Sequence, residues 1–278
     1  MPNNFSQQII EEFRANGGRV GGPFEGTRLL LLTTTGARSG APHTTPVGYY
    51  PDGAERVLVI GSAGGAPKHP DWYRNLIANP RVKVEAGVFT YDADAVVLEG
   101  AERDRIFARA VEADPGWADY QANAKRILPV VALHQVAGGP PNAASLGAAL
   151  KLVHDGFRRE LALIRKEFAK PGRGLGAQLR MNCLTVCQGL HHHHTGEDAG
   201  VFPFLAKRYP ELTPTLDRLS LEHGKIAVLL EELQNVVSEE NADPLQALRE
   251  VKRLTDELEN HLTFEEEQLI PILDAPPA

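Results

Sequence analysis

Two copies of one helical pattern occupy the second half of this 278-residue chain. His193 stands four residues before Glu197, and His261 stands four before Glu265. A proline follows each glutamate by six positions, at Pro203 and Pro271. A lone histidine precedes each pair on an earlier helical stretch: His154 lies 39 residues before His193, and His223 lies 38 before His261. Residues four apart share a helix face, so this half is one helical hairpin used twice. A single H-x-x-x-E is most often a solvated helix face, and a single histidine on an apolar helix is most often a core residue. Both patterns recurring in register on four helices point instead to side chains converging on metal in the centre of a bundle.

The rest of the helical half supports a bundle. Leu150, Val153, Phe157, Leu161, Ile164 and Phe168 recur at three-to-four spacing before "KPGRG" stops the first helix. A second helix is expected from Leu175 to about Lys207, a third from near Thr213 to before "ENADP", and a fourth from Pro244 to about Leu269. Helices of about 25 residues, each ~35 Å long, suit an up-down four-helix bundle. Ahead of them "AGGPPNAASLG" has the Gly, Pro and Ser content of a linker, placed at residues 138–146. Before the linker, "RLLLLTTT", "TTPVGYY", "RVLVIGS", "RVKVEA", "FTYDADAVVLEG" and "PVVALHQV" are strand-like and punctuated by turn residues. Only brief helices intervene, at "PDWYRNLIANP" and across residues 102–126, which favours a mostly antiparallel barrel over a doubly wound sheet. The expected organisation is therefore an α+β multidomain chain: a barrel over residues 1–137, the linker, and an all-α bundle over 147–275.

Charge and composition exclude some classes. A net charge of −7 argues against nucleic acid as a partner. No apolar run approaches ~20 residues, so no transmembrane helix is expected. Phe5, Ile9, Ile10 and Phe13 suit one face of a short N-terminal helix packed on the barrel. Cys183 and Cys187, the only cysteines, do not make a disulfide framework. They are expected as small buried residues in a cytoplasmic protein.

The ligand chemistry favours iron, because mixed imidazole and carboxylate ligation suits paired redox metals. Two glutamates are able to bridge two cations while imidazoles cap them from either side, and too few cysteines remain for all-thiolate zinc. Within "GLHHHHTGEDAGVFPFL", a helix turning about 100° per residue puts His193 and His194 on either side of the direction of Glu197. His193 is the expected ligand, His194 a seventh ligand or an outer partner, and His191 and His192 surface residues.

Residues 146–275 thus resemble the hemerythrin-type HHE cation-binding family, with "HTGEDAGVFPFL" and "HLTFEEEQLIPIL" as the specific stretches. The resemblance implies two iron ions held by His154, His193, Glu197, His223, His261 and Glu265, and a role in binding or sensing dioxygen or a related oxidant. Oxygen-carrying hemerythrins have a further histidine one turn after the third-helix ligand. Ala227 stands there, so a less fully coordinated pair is expected.

In the barrel half, Thr33 to Gly40 is a tight polar turn with free N–H groups and Arg38, able to hold phosphate. "GSAGG" lets a flat ring approach the backbone, and Trp72 and Tyr73 lie near it in sequence. A Gly-rich turn with no ligand is the competing interpretation of these features taken alone. The segments "TTTGxxSGxPxxTP", "GGxxxxPxWYxNLxANPxVxV" and the later "DYQ … R.LPVV" resemble the deazaflavin-dependent nitroreductase family, a split β-barrel that binds reduced coenzyme F-420. The resemblance implies cofactor contacts at Ala37, Arg38 and Ser39; at His43, Thr44 and Thr45; at Ile60, Gly61, Ser62 and Ala63; and at Asp71, Trp72, Tyr73, Arg74 and Asn75. Arg38 and Ser39 would hold the phosphate end, and Trp117 and Tyr120 would line the substrate side. Ala63, His43 and Asp114 depart from residues common in that family, with Lys68 near enough in sequence to substitute for the missing base. His69 and His134 are expected to be structural. The function implied is hydride transfer from the reduced cofactor to a quinone or nitroaromatic acceptor. The alternatives are an FMN-dependent reductase and a non-enzymatic redox sensor or iron-binding protein.

Overall fold

The computed structural model describes residues 4–53, 55–138, 141, 143–169, 175–239 and 241–275. It contains two compact units, one of residues 1–142 with 176–178 and one of the remainder. Part of the expected linker, at residues 139, 140 and 142, lies outside the described residues.

Six strands close the first unit into an antiparallel barrel in the order β1-β2-β3-β6-β5-β4. They are β1 (Leu29–Thr35), β2 (Pro42–Pro51), β3 (Arg56–Ile60), β4 (Arg81–Ala86), β5 (Phe89–Leu98) and β6 (Val130–Gly138). Four consecutive leucines open β1, although alternating strand faces would ordinarily leave half of them in water. Here both faces are covered. Leu30 and Leu32 point into the barrel with Val59, Val82, Val131 and Leu133. Leu29 and Leu31 pack outside it against Ile9, Ile10 and Phe13 of helix α1 (Asn4–Ala15). At roughly 1.5–3 kcal/mol per fully buried leucine, this run is a principal anchor of the unit. Phe5, expected on the same face, is 52% exposed.

Helix α2 (Asp71–Ala78) packs beside the barrel and sends Trp72 and Leu76 into its core. Residues 102–126 do not form a continuous helix. Helices α3 (Gly100–Ala113) and α4 (Gly116–Ala124) part at Asp114, which is extended (φ −147°, ψ 106°). The cause is Pro115, since a residue before proline is driven out of the helical region.

The second unit contains α5 (Leu146–Phe168), α6 (Ala177–Gly196), α7 (Phe202–Arg208), α8 (Thr213–Ser238) and α9 (Pro244–Leu273). Ser145 caps α5 by accepting from the Ala148 N–H at 3.1 Å, and Asp243 caps α9 by accepting from Leu245 at 2.9 Å. The expected second helix is divided by a π turn over Glu197–Val201. Pro203 cannot donate to the carbonyl four residues back and its ring would crowd that turn. The backbone widens instead, and Phe202 donates to the Glu197 carbonyl.

Apolar side chains fill the bundle in two clusters. One includes Leu161, Cys183, Cys187, Leu190, Ile226, Leu258 and Leu262; the other includes Phe202, Leu205, Leu216, Leu219 and Leu269. On α6, α8 and α9 the candidate metal residues fall in sequence at the junction of these clusters, so a polar layer lies in an apolar interior. Cys183 and Cys187 are buried and unbridged, as expected.

Candidate functional sites

The polar layer unites residues from four helices. His154 comes from α5, His193 from α6, Glu197 from the first position of the π turn, and Glu265 from α9. Their ligand atoms lie within 4.8 Å of one another. A second group at the same spacing joins His223 of α8, His261 of α9 and His194 of α6. Nε2 of His154 and Nε2 of His193 face each other at 3.1 Å. The carboxylates stand between the two sets of imidazoles. Glu197 places Oε1 3.5 Å from His193 Nε2 and Oε2 3.7 Å from His223 Nε2. Glu265 Oε2 lies 3.5 Å from His154 Nε2 and 3.6 Å from His261 Nε2.

Every one of these groups except His193 is at most 5% exposed. Among the described residues, Nε2 of His194, His223 and His261, Oε2 of Glu197 and both carboxylate oxygens of Glu265 have no hydrogen-bond partner. Such a gathering of orphaned, buried lone pairs is costly unless a cation is bound among them. Burial pushes His193 down to about 3 and His261 down to about 4, with neighbouring imidazoles adding to the effect. His154, His194 and His223 are lowered for the same leading reason. Burial also raises both carboxyls, and the charge of Glu265 raises Glu197 further. Neutral imidazoles and carboxylates whose charge is unfavourable without a counter-ion make a donor set that fits divalent metal.

Three acids not expected from the sequence orient this layer. Glu266 Oε1 lies 2.9 Å from His154 Nδ1, and Glu222 Oε2 lies 3.1 Å from His261 Nδ1. Asp198 Oδ1 lies 3.0 Å from His223 Nδ1, close enough to pair but not aligned for a hydrogen bond. Each is the sequence neighbour of a candidate ligand yet serves a histidine on another helix. A carboxylate on Nδ1 fixes the tautomer and turns the Nε2 lone pair inward. Adjacency to Glu265, His223 and Glu197 was the available signal, but which helix each acid serves is a tertiary property. His191 and His192 are exposed.

In the barrel unit the β1–β2 turn carries Ala37, Arg38 and Ser39. A Cβ on Gly36 at its base would lie 2.3 Å from Ser39 Oγ and 2.8 Å from His43 Nε2, so any larger residue would displace those two side chains. Ser39 Oγ is 3.2 Å from His43 Nε2 and accepts from the Ala41 N–H at 3.2 Å. Thr33 and Thr44 join hydroxyls across the strands at 2.8 Å, and Thr45 faces Leu32 in register. Arg38 is exposed and has no ion pair among the described residues, a state suited to an incoming anion.

Asn75 ties α2 to this turn. Its Oδ1 accepts from the Ala37 N–H at 3.0 Å, and its Nδ2 donates to Thr34 Oγ1 at 3.1 Å. The Asn75 amide is therefore a brace. Trp72, 7% exposed, and Ile60, 4% exposed, spend their side chains on the unit's apolar core. Asp71 and Arg74 lie at the surface in a 3.6 Å pair, and Tyr73 is partly buried beside His69.

Gly61, Ser62 and Ala63 lead from β3 into a turn where Ala63, Gly64 and Gly65 have φ of 50°, 63° and 79°. One side chain missed by the sequence reading holds it: Arg126 donates to the carbonyls of Gly61, Ser62, Ala66 and Lys68 at 3.0–3.2 Å. Helix α4 lies against the same turn, with Gly65 close to Tyr120. Trp117 stands edge-on to Tyr120 at 5.8 Å and donates through Nε1 to Tyr50 Oη at 2.6 Å. The expected cofactor segments and the expected aromatic pair therefore share one end of the barrel unit. His134 pairs in register with Arg56 and Asp94 on β6, a structural position.

Comparison with known proteins agrees with both halves. The family model for F420H(2)-dependent quinone reductase matches residues 6–135, and that for the hemerythrin HHE cation binding domain matches residues 146–273. Two F420H(2)-dependent quinone reductases, from two strains of Mycobacterium tuberculosis, are each 35% identical over 125 residues, spanning 44% of this chain and 83% of theirs. The solved structure of an F420-H2 dependent reductase (FDR-A) is 40% identical, covers 38% of this chain and 94% of that one, and aligns with a TM-score of 0.35. The family match and these relatives identify the barrel unit as a deazaflavin-dependent oxidoreductase. The chain belongs to the F420H(2)-dependent quinone reductase family, with a hemerythrin-type cation-binding domain in the same polypeptide. Among the described residues no helix is long and apolar enough to cross a membrane.

Proposed function

We propose that the barrel unit reduces a quinone or nitroaromatic acceptor with coenzyme F-420, while the helical unit holds two iron ions that bind dioxygen or a related small oxidant. The observation that carries the second part is the placement of Glu197 and Glu265 between two sets of imidazoles, with their buried oxygens otherwise unpartnered. In this reading His154 and His193 would hold one iron and His223 and His261 the other, with Glu197 and Glu265 available to both. Glu266, Glu222 and Asp198 hold three of those rings in orientation. Bound iron supplies the redox and oxidant-binding chemistry that these side chains lack.

In the barrel unit Arg38 and the polar turn bearing Ser39 take the phosphate end of the cofactor. The Gly61–Ala63 turn, Tyr73, Thr44 and Thr45 are the residues that would hold its ring end. The reduced deazaflavin, when bound, supplies a hydride. What the chain contributes is position: Asn75 and Arg126 stiffen the two turns, and Trp117 and Tyr120 offer an aromatic surface for a flat acceptor. Unbridged buried cysteines support a reducing, cytoplasmic location for this activity.

Two measurements test the reading. Metal analysis and an optical spectrum of the aerobically purified protein should give about two irons per chain. Anaerobic mixing with reduced F-420 and menadione should oxidise the cofactor at a rate that depends on the barrel. Absence of iron would overturn the role given to the helical unit, and an inert mixture the role given to the barrel unit.

A further inference from the structure

Four of the six expected metal residues are imidazoles, but the layer contains five. His194 is 5% exposed, and its Nε2 has no hydrogen-bond partner among the described residues. A core histidine kept for packing would bond that nitrogen to a carbonyl, a hydroxyl or a carboxylate. The ring lies instead parallel to His223, with centroids 4.3 Å apart at 12°, and edge-on to His261 at 5.2 Å. Phe202 stacks on His223 as well, at 5.3 Å and 18°, which limits the rotation of that ring. Ligand atoms of His194, His223 and His261 all fall within 4.8 Å of one another, as donors to a single ion must.

We propose that His194 is a seventh ligand, bound to the metal capped by His223 and His261. The inference rests on the two-iron reading above and deepens it. With it the two centres are unequal: both share Glu197 and Glu265, one has two imidazoles and the other has three. Ala227, at the position where oxygen-carrying hemerythrins have a further histidine, is exposed and contributes no donor. The adjacent histidine on α6 supplies the donor instead. His193 and His194 thus serve opposite centres from neighbouring positions, as the 100° step between consecutive helical residues permits.

The test uses the full-length protein, made metal-free and titrated anaerobically with iron(II). His194→Ala and His194→Gln are compared with wild type and with His192→Ala, whose side chain is exposed. Far-UV circular dichroism confirms that each variant is helical, and the Gln variant keeps a buried side chain that fills part of the space. Wild type and His192→Ala should take up two irons per chain. Both His194 variants should keep one and bind the other at least tenfold more weakly. Mössbauer spectra of the iron-57 forms should change in one of two components only. Two irons bound at wild-type affinity with unchanged spectra in both variants would overturn the role of His194. Equal weakening of both irons in a folded variant would overturn its assignment to one centre. A wild type that binds no more than one iron would overturn the two-iron reading itself, and the inference with it.

Discussion

Glu266 Oε1 stands 2.9 Å from His154 Nδ1, although the two residues lie 112 positions apart in the chain. The same carboxylate oxygen accepts from Arg158 at 2.6 Å. These partners hold Glu266 well down, at about 2, against the opposing effect of burial. An ionised acid on Nδ1 leaves His154 with one free lone pair, on Nε2, facing His193. Glu266→Gln should therefore keep the fold while loosening the layer. Losing such an outer carboxylate costs roughly 10–100-fold in metal affinity, which competition with a chelator measures. Unchanged affinity would mean that packing alone orients the ring.

The helical phase of the four-histidine run gives a second expectation. His193→Ala and His261→Ala should each remove most bound iron, whereas His191→Ala and His192→Ala should leave it nearly intact. Elemental analysis of the four purified variants distinguishes them. Equal loss in all four would contradict the placement of His191 and His192 at the surface.

Arg38→Ala should weaken F-420 binding while sparing the metal of the helical unit. A charge-assisted contact to phosphate contributes ~1.5–3 kcal/mol, so affinity should fall at least tenfold. Fluorescence titration with the cofactor checks this. No change would move the anchor to Lys68 or to backbone donors.

Arg126 is expected to act on the same site without touching the cofactor. Arg126→Ala removes donors from four carbonyls of the Gly61–Lys68 segment. Stability should fall by about 2–3 kcal/mol in a denaturant melt of the barrel unit. Arg126→Lys should recover only part, because a point-like ammonium replaces a planar fork. A full recovery by lysine would show that charge, not geometry, holds the turn.

Cysteine reactivity supplies a pH-dependent expectation. Burial pushes the Cys187 thiol up to about 12, with a hydrogen bond to Gln234 opposing. The thiol form is then retained from neutral pH to well above the ordinary range, and the nucleophilic thiolate is scarce. At pH 8 the native protein should react with a thiol reagent far more slowly than the urea-unfolded chain. Equal rates would place Cys187 at the surface.

Local pattern and short spacings made much of this protein legible. All six strands coincide with β-branched runs between turn residues, and the duplicated histidine-glutamate pattern marked six residues that the bundle brings together. Those signals survive in one dimension because strand alternation and helical periodicity act between near neighbours. The break at Asp114 was also written locally, in Pro115. Other features depended on which elements meet. Four leucines in a row look like a strand buried on both faces, but only the docking of α1 covers the outer one. Trp72 was an expected cofactor contact by resemblance, and its side chain lies in the barrel core because α2 docks there. Glu266, Glu222 and Asp198 are ordinary helix acids until a histidine from another helix arrives beside each. His194 was ambiguous for the same reason: its phase allowed either of two roles, and the proposed one rests on His223 and His261 lying within a few ångströms of it. Periodicity along one helix determines which side chains share a face. What that face meets is settled by the packing of the other helices.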